Sequence, residues 1–322
     1  MVTVIKLILP LILATLANTA VSAITAAPND RLIDDPLLLV PSNDLEGTQL
    51  KLQERLAQPD PSQLAPHGKI AIVIDDLGNS LRAGLEAIAL PANITFAVMP
   101  HRKHSKMLAE RAKRLGREVI LHAPMSTQNG RDIGAGALTQ SMDETFFKNR
   151  LRFAIDSIPH LTGVNNHMGS FLTTQPQAME WVMDVVKEKG LFFVDSRTHA
   201  NSVAYSTAKR MGLSTASRDV FLDHEINIDA IHKQFKRTVA IARKYGSAIA
   251  IGHPHKATLT YLQHVLPQLE HSDIHVLSVS ELLESGIQER PDSARESRPA
   301  DLPNLDHLIH QLQLSKNLPA SP

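Results

Sequence analysis

The sequence predicts an α/β fold: a distorted (β/α) barrel of seven or eight strand–helix repeats, with parallel strands and helices outside. Three observations carry this expectation. Short apolar runs alternate with amphipathic stretches over residues 69–284, the order of elements that a parallel sheet with crossover helices requires. The first runs are apolar and rich in β-branched residues without interruption, as strands covered on both faces are. Most runs end in Asp, His, Asn or Arg, at the strand–loop junction where barrels carry their chemistry. An open doubly wound sheet is the alternative. A dinucleotide-binding version of it would need a glycine-rich turn after the first strand, and Asp75-Asp76-Leu77-Gly78 is not one, so no dinucleotide site is expected.

Taken in order, the first strand occupies 70–74 and ends at Asp75 and Asp76. Helical spacing over 79–90 leads to a strand at 94–99. Residues 105–115 read as a helix with Ser105 suited to its N-cap. Strand 118–121 runs into His122-Ala123-Pro124-Met125, and a glycine-containing loop at 129–138 precedes a helix opened by a Ser141/Glu144 capping box. A strand around Val164 enters Asn165-Asn166-His167-Met168-Gly169-Ser170. Helix 176–189 stops at Gly190, a residue that ends helices by taking the left-handed conformation. Strand 191–194 ends at Asp195-Ser196-Arg197-Thr198. Helix 202–211 and a short strand at 213–216 lead into Arg218 and Asp219. Helix 226–245, strand 248–251 ending in Gly252-His253, helix 257–270 and a strand at 274–279 complete a barrel bounded at 68–286.

Outside the barrel, residues 1–23 read as an export signal: Lys6 is the positive end, 7–16 the apolar run, and Val21-Ser22-Ala23 the small residues for cleavage. The apolar run is short for a bilayer, which needs ~20 residues. No stable membrane span is expected after cleavage; an uncleaved anchor is the alternative. Residues 24–67 read as a leader or linker, broken by Pro59, Pro61 and Pro66. The polar stretch 287–322 reads as a disordered or weakly helical tail. The localisation expected is export, to the periplasm in a double-membrane bacterium. Lys and Arg number 33 against 33 for Asp and Glu, and there is no cysteine. Balanced charge gives no footprint for nucleic acid, and the lack of cysteine excludes both a disulfide framework and a lipidated cysteine.

Histidines and carboxylates at successive strand ends, without cysteine, suit a divalent metal, zinc foremost. Adjacent carboxylates such as Asp75 and Asp76 repel unless a cation or a raised pKa relieves them. One can serve as ligand and the other as general base toward a water, although a helix N-cap pair has the same composition. His122 follows a strand and His167 lies among small polar residues that suit a pocket floor. His253 is placed to protonate a leaving group. Asp219 is expected to orient a catalytic histidine, and Arg218 to hold substrate or to pair with Asp219. Asn166, Ser170, Asp195 and Ser196 complete the expected substrate-binding set.

The segments Ile-Asp-Asp-Leu-Gly, Leu-His-Ala-Pro-Met, Asn-Asn-His-Met-Gly-Ser, Asp-Ser-Arg-Thr, Arg-Asp-Val-Phe-Leu-Asp and Ile-Gly-His-Pro, in this order, resemble the divergent polysaccharide deacetylases. These are exported bacterial proteins, the YibQ-like group among them, distantly related to NodB-type carbohydrate esterases. The resemblance implies a distorted (β/α) barrel and metal-dependent removal of acetyl groups from amino sugars, hence a carbohydrate substrate. It also implies Asp75 as general base, Asp76 and His122 as metal ligands, with Glu118 opening the same motif, and His253 as general acid. The wider superfamily has a second metal histidine four residues after the first, where this chain has Ser126. His167, from a different strand, is the expected replacement. The function expected is that of a metal-dependent carbohydrate hydrolase, a deacetylase of an N- or O-acetylated cell-envelope glycan. The alternatives are a metal-dependent hydrolase of another ester or phosphoester, and a non-catalytic periplasmic protein that binds a glycan or partner.

Overall fold

The computed structural model describes residues 68–270 and 272–287. The export signal at 1–23, the leader at 24–67 and all but the first residue of the tail lie outside that range. Nine strands and eight α-helices follow one another among the described residues: β1 Gly68–Leu77, α1 Leu81–Ile88, β2 Thr95–Val98, α2 Ser105–Arg114, β3 Glu118–Met125, α3 Glu144–Asp156, β4 Leu161–Met168, α4 Pro176–Glu188, β5 Phe192–Asp195, α5 Ala204–Arg210, β6 Thr215–Ser217, β7 Val220–Phe221, α6 Ile228–Tyr245, β8 Ser247–Gly252, α7 Lys256–Val265, β9 Ile274–Leu277 and α8 Val279–Glu284.

Every strand pairing is parallel, and the order is β6-β5-β4-β3-β2-β1-β8-β7. The two ends of that path are one stretch of chain, because only Arg218 and Asp219 separate β6 from β7. The Arg218 backbone N–H donates to Asp195 O on β5 at 2.9 Å, and that of Asp219 to Ile249 O on β8 at 2.8 Å. One short segment therefore spans the seam and curls the sheet into a barrel. β1 is the axis: it pairs β8 along Lys69–Ile74, β2 from Val73 upward, and β9 below, from Gly68 to Ala71.

Alternation along the strands sorts the core into two parts, since successive side chains point to opposite faces. Ile70, Ile72, Ile74, Phe96, Val98, Leu121 and Phe193 face the helices in the larger cluster. Ala71, Val73, Ala97, Ile120, Val194, Ile249 and Ile251 fill the interior with Val279 and Leu282 of α8. Helix α8 thus plugs the N-terminal end of the barrel. Glu118, buried at the start of β3, holds it there by accepting from the Val279 and Ser280 N–H groups at 2.9 and 3.2 Å.

Two helix starts differ from expectation. Asp143 caps α3 by accepting from Phe146 N at 2.9 Å, so the Ser141/Glu144 box is not formed. Ser105 donates its hydroxyl to the Met99 carbonyl and leaves α2 without a side-chain cap. Among the described residues no helix is long and apolar enough to cross a membrane.

Candidate functional site

The interior columns change character at the C-terminal ends of the strands. Two residues beyond Val73 stands Asp75, beyond Ile120 His122, beyond Val194 Ser196, beyond Ala216 Arg218, and beyond Ile251 His253. On β4 the column is Gly163, Asn165, His167. Period-2 geometry thus converts an apolar barrel into a polar floor within one strand step. The floor opens into a cavity of about 430 Å³ lined by Asp75, Asp76, His122, His167, Ser196 and His253 among others.

Asp76 should point away from Asp75, because neighbours on a strand alternate. It does not, because it sits in a bulge: the pairing register with β2 shifts between Ile74 and Leu77, and Asp76 has φ 61°. A left-handed bulge residue re-aims its side chain, and aspartate tolerates that conformation better than most residues. Gly78 completes the turn. A Cβ there would lie 2.4 Å from Ser105 Oγ, and its φ is +121°.

Asp76 Oδ1, His122 Nε2 and His167 Nδ1 form a near-equilateral triangle with edges of 3.3, 3.1 and 3.1 Å. Asp76 Oδ1 is buried and accepts no hydrogen bond of good geometry. His122 Nδ1 lies 2.8 Å from Asn165 Oδ1, while Asn165 Nδ2 donates to Asp75 Oδ1 at 2.8 Å. With its amide so oriented, Asn165 Oδ1 accepts from the Nδ1–H of His122 and leaves the Nε2 lone pair facing the triangle. Nitrogen and oxygen ligands placed ~2.0–2.2 Å from a tetrahedral cation stand about 3.3–3.6 Å from one another, the lower end of which meets the longest edge here. The triangle therefore fits a divalent cation by edge length, donor set and unsatisfied carboxylate oxygen.

The surroundings set the charges. Burial raises the Asp75 carboxyl pKa and prevails over the lowering by His122 and His253. Burial acts the same way on Asp76, but His122 and His167 outweigh it and hold that carboxyl far below the usual range. Burial opposes the charged form of His122, whose pKa Asp75 and Asp76 nevertheless raise, whereas for His167 burial wins and the pKa falls. His253 is also desolvated, yet Asp223 and the paired aspartates push its pKa up to about 9. Asp223 is held low, its desolvation overcome by His253.

The structure brings Asp75, Asp76, His122, Asn166, His167, Ser196, Arg218 and His253 to the cavity. Three expected residues stand elsewhere. Asp219 precedes β7, and its Oδ2 accepts from Ile249 N at 2.8 Å within the barrel wall; it does not orient His253. Asp195 has the opposite strand parity to Val194 and Ser196, and its carboxylate accepts from Ser202 Oγ at 2.8 Å and from Tyr205 N at 3.3 Å, tying down the start of α5. Ser170 Oγ accepts from Gln128 N at 3.2 Å, bracing the loop after β3. The residue that orients His253 is Asp223, 3.1 Å from its Nδ1, and Asp223 Oδ2 also accepts from His253 N at 2.6 Å and Thr258 Oγ1 at 2.8 Å. The apolar run Val220-Phe221-Leu222 is the signal that finds it: Asp219 enters that short strand and Asp223 leaves it. Asn165 is the other addition, and its signal is its two-residue offset from His167.

Ser126 donates its hydroxyl to Gln140 Oε1 at 3.0 Å, and its carbonyl accepts from Phe171 N and Leu172 N. His167 reaches the triangle from the neighbouring strand, where it pairs with Pro124.

The family model for divergent polysaccharide deacetylases matches residues 72–283. The chain is 37% identical to the uncharacterized protein YibQ of Escherichia coli strain K12 over 216 residues, covering 67% of each. It is 38% identical to an uncharacterized Haemophilus influenzae protein over 214 residues, 66% of this chain and 76% of that one. An uncharacterized protein of Agrobacterium tumefaciens C58, known by crystal structure, shares 25% identity at a TM-score of 0.65 over 69% of this chain and 94% of its own. With its barrel, its polar rim and this match over most of its length, the chain belongs to the divergent polysaccharide deacetylase family.

Proposed function

We propose that the protein is a metal-dependent hydrolase that removes acetyl groups from an N- or O-acetylated cell-envelope glycan, working as an exported, periplasmic protein. The observation that carries the reading is the triangle of Asp76, His122 and His167, flanked by Asp75 and by the Asp223–His253 pair. The apolar stretch 7–16 behind Lys6 supports export.

Asp76, His122 and His167 would hold the cation, zinc by donor type, which when bound polarises a water and the substrate carbonyl. Asp75 is the base: its Oδ1 is fixed by Asn165, and its Oδ2 lies 3.6 Å from His122 Nε2, on the side of the triangle. Burial raises its proton affinity, which suits a group that must take a proton from water near neutral pH. His253 is the acid. Asp223 holds Nδ1, and Nε2 points to the rim 4.0 Å from Asp76 Oδ2, where it can protonate the departing amine or alcohol as the carbon–nitrogen or carbon–oxygen bond breaks. An anionic phosphoester would call on Arg218, with Ser196, to meet its charge. The Arg218 guanidinium instead donates to the Ser196 and Arg197 carbonyls at 2.7 and 2.8 Å, which weakens that reading.

The test is acetate release from a panel of acetylated glycans, run beside a phosphodiester panel. Acetate release is expected, and Asp75→Asn should lower it by about 10²–10⁴-fold, the range for a positioned base, with bound metal unchanged by elemental analysis. Phosphodiester cleavage without acetate release would overturn the proposal.

A further inference from the structure

The polar ring at the barrel mouth is almost fully committed to itself. Asp75 and His122 are tied to Asn165, His167 stands against Asp76 and His122, and His253 is tied to Asp223. Apart from the Asp76 oxygen of the ligand triangle, Ser196 is the exception. It is 5% exposed, lines the cavity, and its Oγ has no hydrogen-bond partner. A buried hydroxyl without a partner costs stability that a native fold recovers only when something else fills it.

The rest of Ser196 is gripped. Its N–H donates to Asn166 Oδ1 at 2.8 Å and its carbonyl accepts from Arg218 Nε at 2.7 Å. The next residue, Arg197, is left-handed at φ 44°, its N–H donating to Asp195 Oδ1 and its carbonyl accepting from Arg218 Nη2, both at 2.8 Å. Two peptide units are therefore clamped from both sides, with the strained residue inside the clamp. Strain of this kind persists only where the surroundings over-determine it, and it clusters at ligand sites. The clamp leaves one group uncommitted, the buried hydroxyl of a residue that lines the cavity.

We infer that Asn166, Asp195 and Arg218 are positioning residues whose joint effect is to present Ser196 Oγ as a fixed hydrogen-bond partner for a hydroxyl or ring-substituent oxygen of the saccharide. This rests on the proposed acetyl-glycan reading and deepens it by naming the group that distinguishes sugar from a bare acetyl ester. Ser196 follows β5, next to the strand that brings His167 and across the ring from His253 just past β8, so it touches the substrate away from the leaving group.

The test compares wild type, Ser196→Ala and Arg218→Lys in the full chain. The probes are an N-acetylglucosamine tetramer, followed by calorimetric binding and by acetate release, and 4-nitrophenyl acetate, which has no sugar. Both variants should bind the tetramer about ten-fold more weakly, as expected for one lost buried hydrogen bond. The ratio of kcat/KM for tetramer over 4-nitrophenyl acetate should fall about ten-fold, with metal content unchanged. Equal loss on both substrates, or unchanged tetramer binding, overturns the inference. Wild type that binds the tetramer but releases no acetate sinks the deacetylase reading alone, and the binding comparison still decides the role of Ser196. Wild type that does not bind it overturns both.

Discussion

Two histidine–carboxylate groups share the barrel rim and are built for opposite purposes. In the first, Asp76, His122 and His167 place three ligand atoms 3.1–3.3 Å apart around a carboxylate oxygen that no N–H or O–H satisfies. In the second, Asp223, His253 and His255 also bring ligand atoms together, within 4.8 Å of one another. There the carboxylate is already filled by His253 N, His253 Nδ1 and Thr258 Oγ1. Composition does not separate the two groups; donor supply does. A buried carboxylate oxygen short of donors suits a cation, whereas one with its donors in place fixes an imidazole and raises its proton affinity.

The comparison breaks most visibly at Asp76. Asp76→Asn should cut metal affinity by more than about 100-fold, beyond the 10–100-fold typical of residues behind the ligands, and elemental analysis of purified protein should fall from one equivalent to near zero. His167→Ala should do the same, because His167 on β4, rather than Ser126 just past β3, would supply the third ligand. Retained metal in either variant would mean the triangle is a hydrogen-bonded cluster.

A smaller effect is expected at Asp223. Asp223→Asn keeps the side-chain shape but removes the charge and one of two accepting oxygens, which lowers the proton affinity of His253, so kcat for acetate release should drop about 10–100-fold with metal content unchanged. Loss of metal in this variant would erase the distinction between the groups.

The distinction was only partly legible in the sequence. The parallel strands with helices outside were, because apolar runs alternating with helical spacing call for them, and strand-end positions followed; the choice of barrel over open doubly wound sheet rests on the seam at Arg218 and Asp219. His122, His167 and His253 lie at such ends, and the fold gathers them. What could not be read was anything set by backbone detail. Asp76 faces inward only because the β1 bulge turns it, and nothing in a pair of adjacent aspartates announces a bulge. Asp195 resembled a site residue until strand parity sent it to the helix side. Asp219 and Asp223 flank a strand of two residues, β7, too short for periodicity to detect, and the choice between them turns on which end of that strand each occupies. The Ser141/Glu144 box failed for a similar local reason: Asp143, one residue before the helix, caps it first.

The smallest expected effect sharpens the comparison most. His255 occupies the N-cap position of α7, is exposed, and makes no cap hydrogen bond. Its ring centroid lies 5.8 Å from that of His253 at 36° between planes, a contact that neither orients His253 nor closes a ligand triangle. If the Asp223 group is a proton relay, His255 is a bystander. His255→Ala should then leave metal stoichiometry unchanged, kcat/KM for acetate release within about two-fold, and stability within ~0.5 kcal/mol, as for ordinary surface substitutions. The measurement is a zinc titration of the metal-stripped full chain, wild type beside variant. A second, weaker zinc equivalent present in wild type and absent in the variant would make Asp223 a cation ligand despite its full set of donors, and donor supply would then no longer tell the two groups apart.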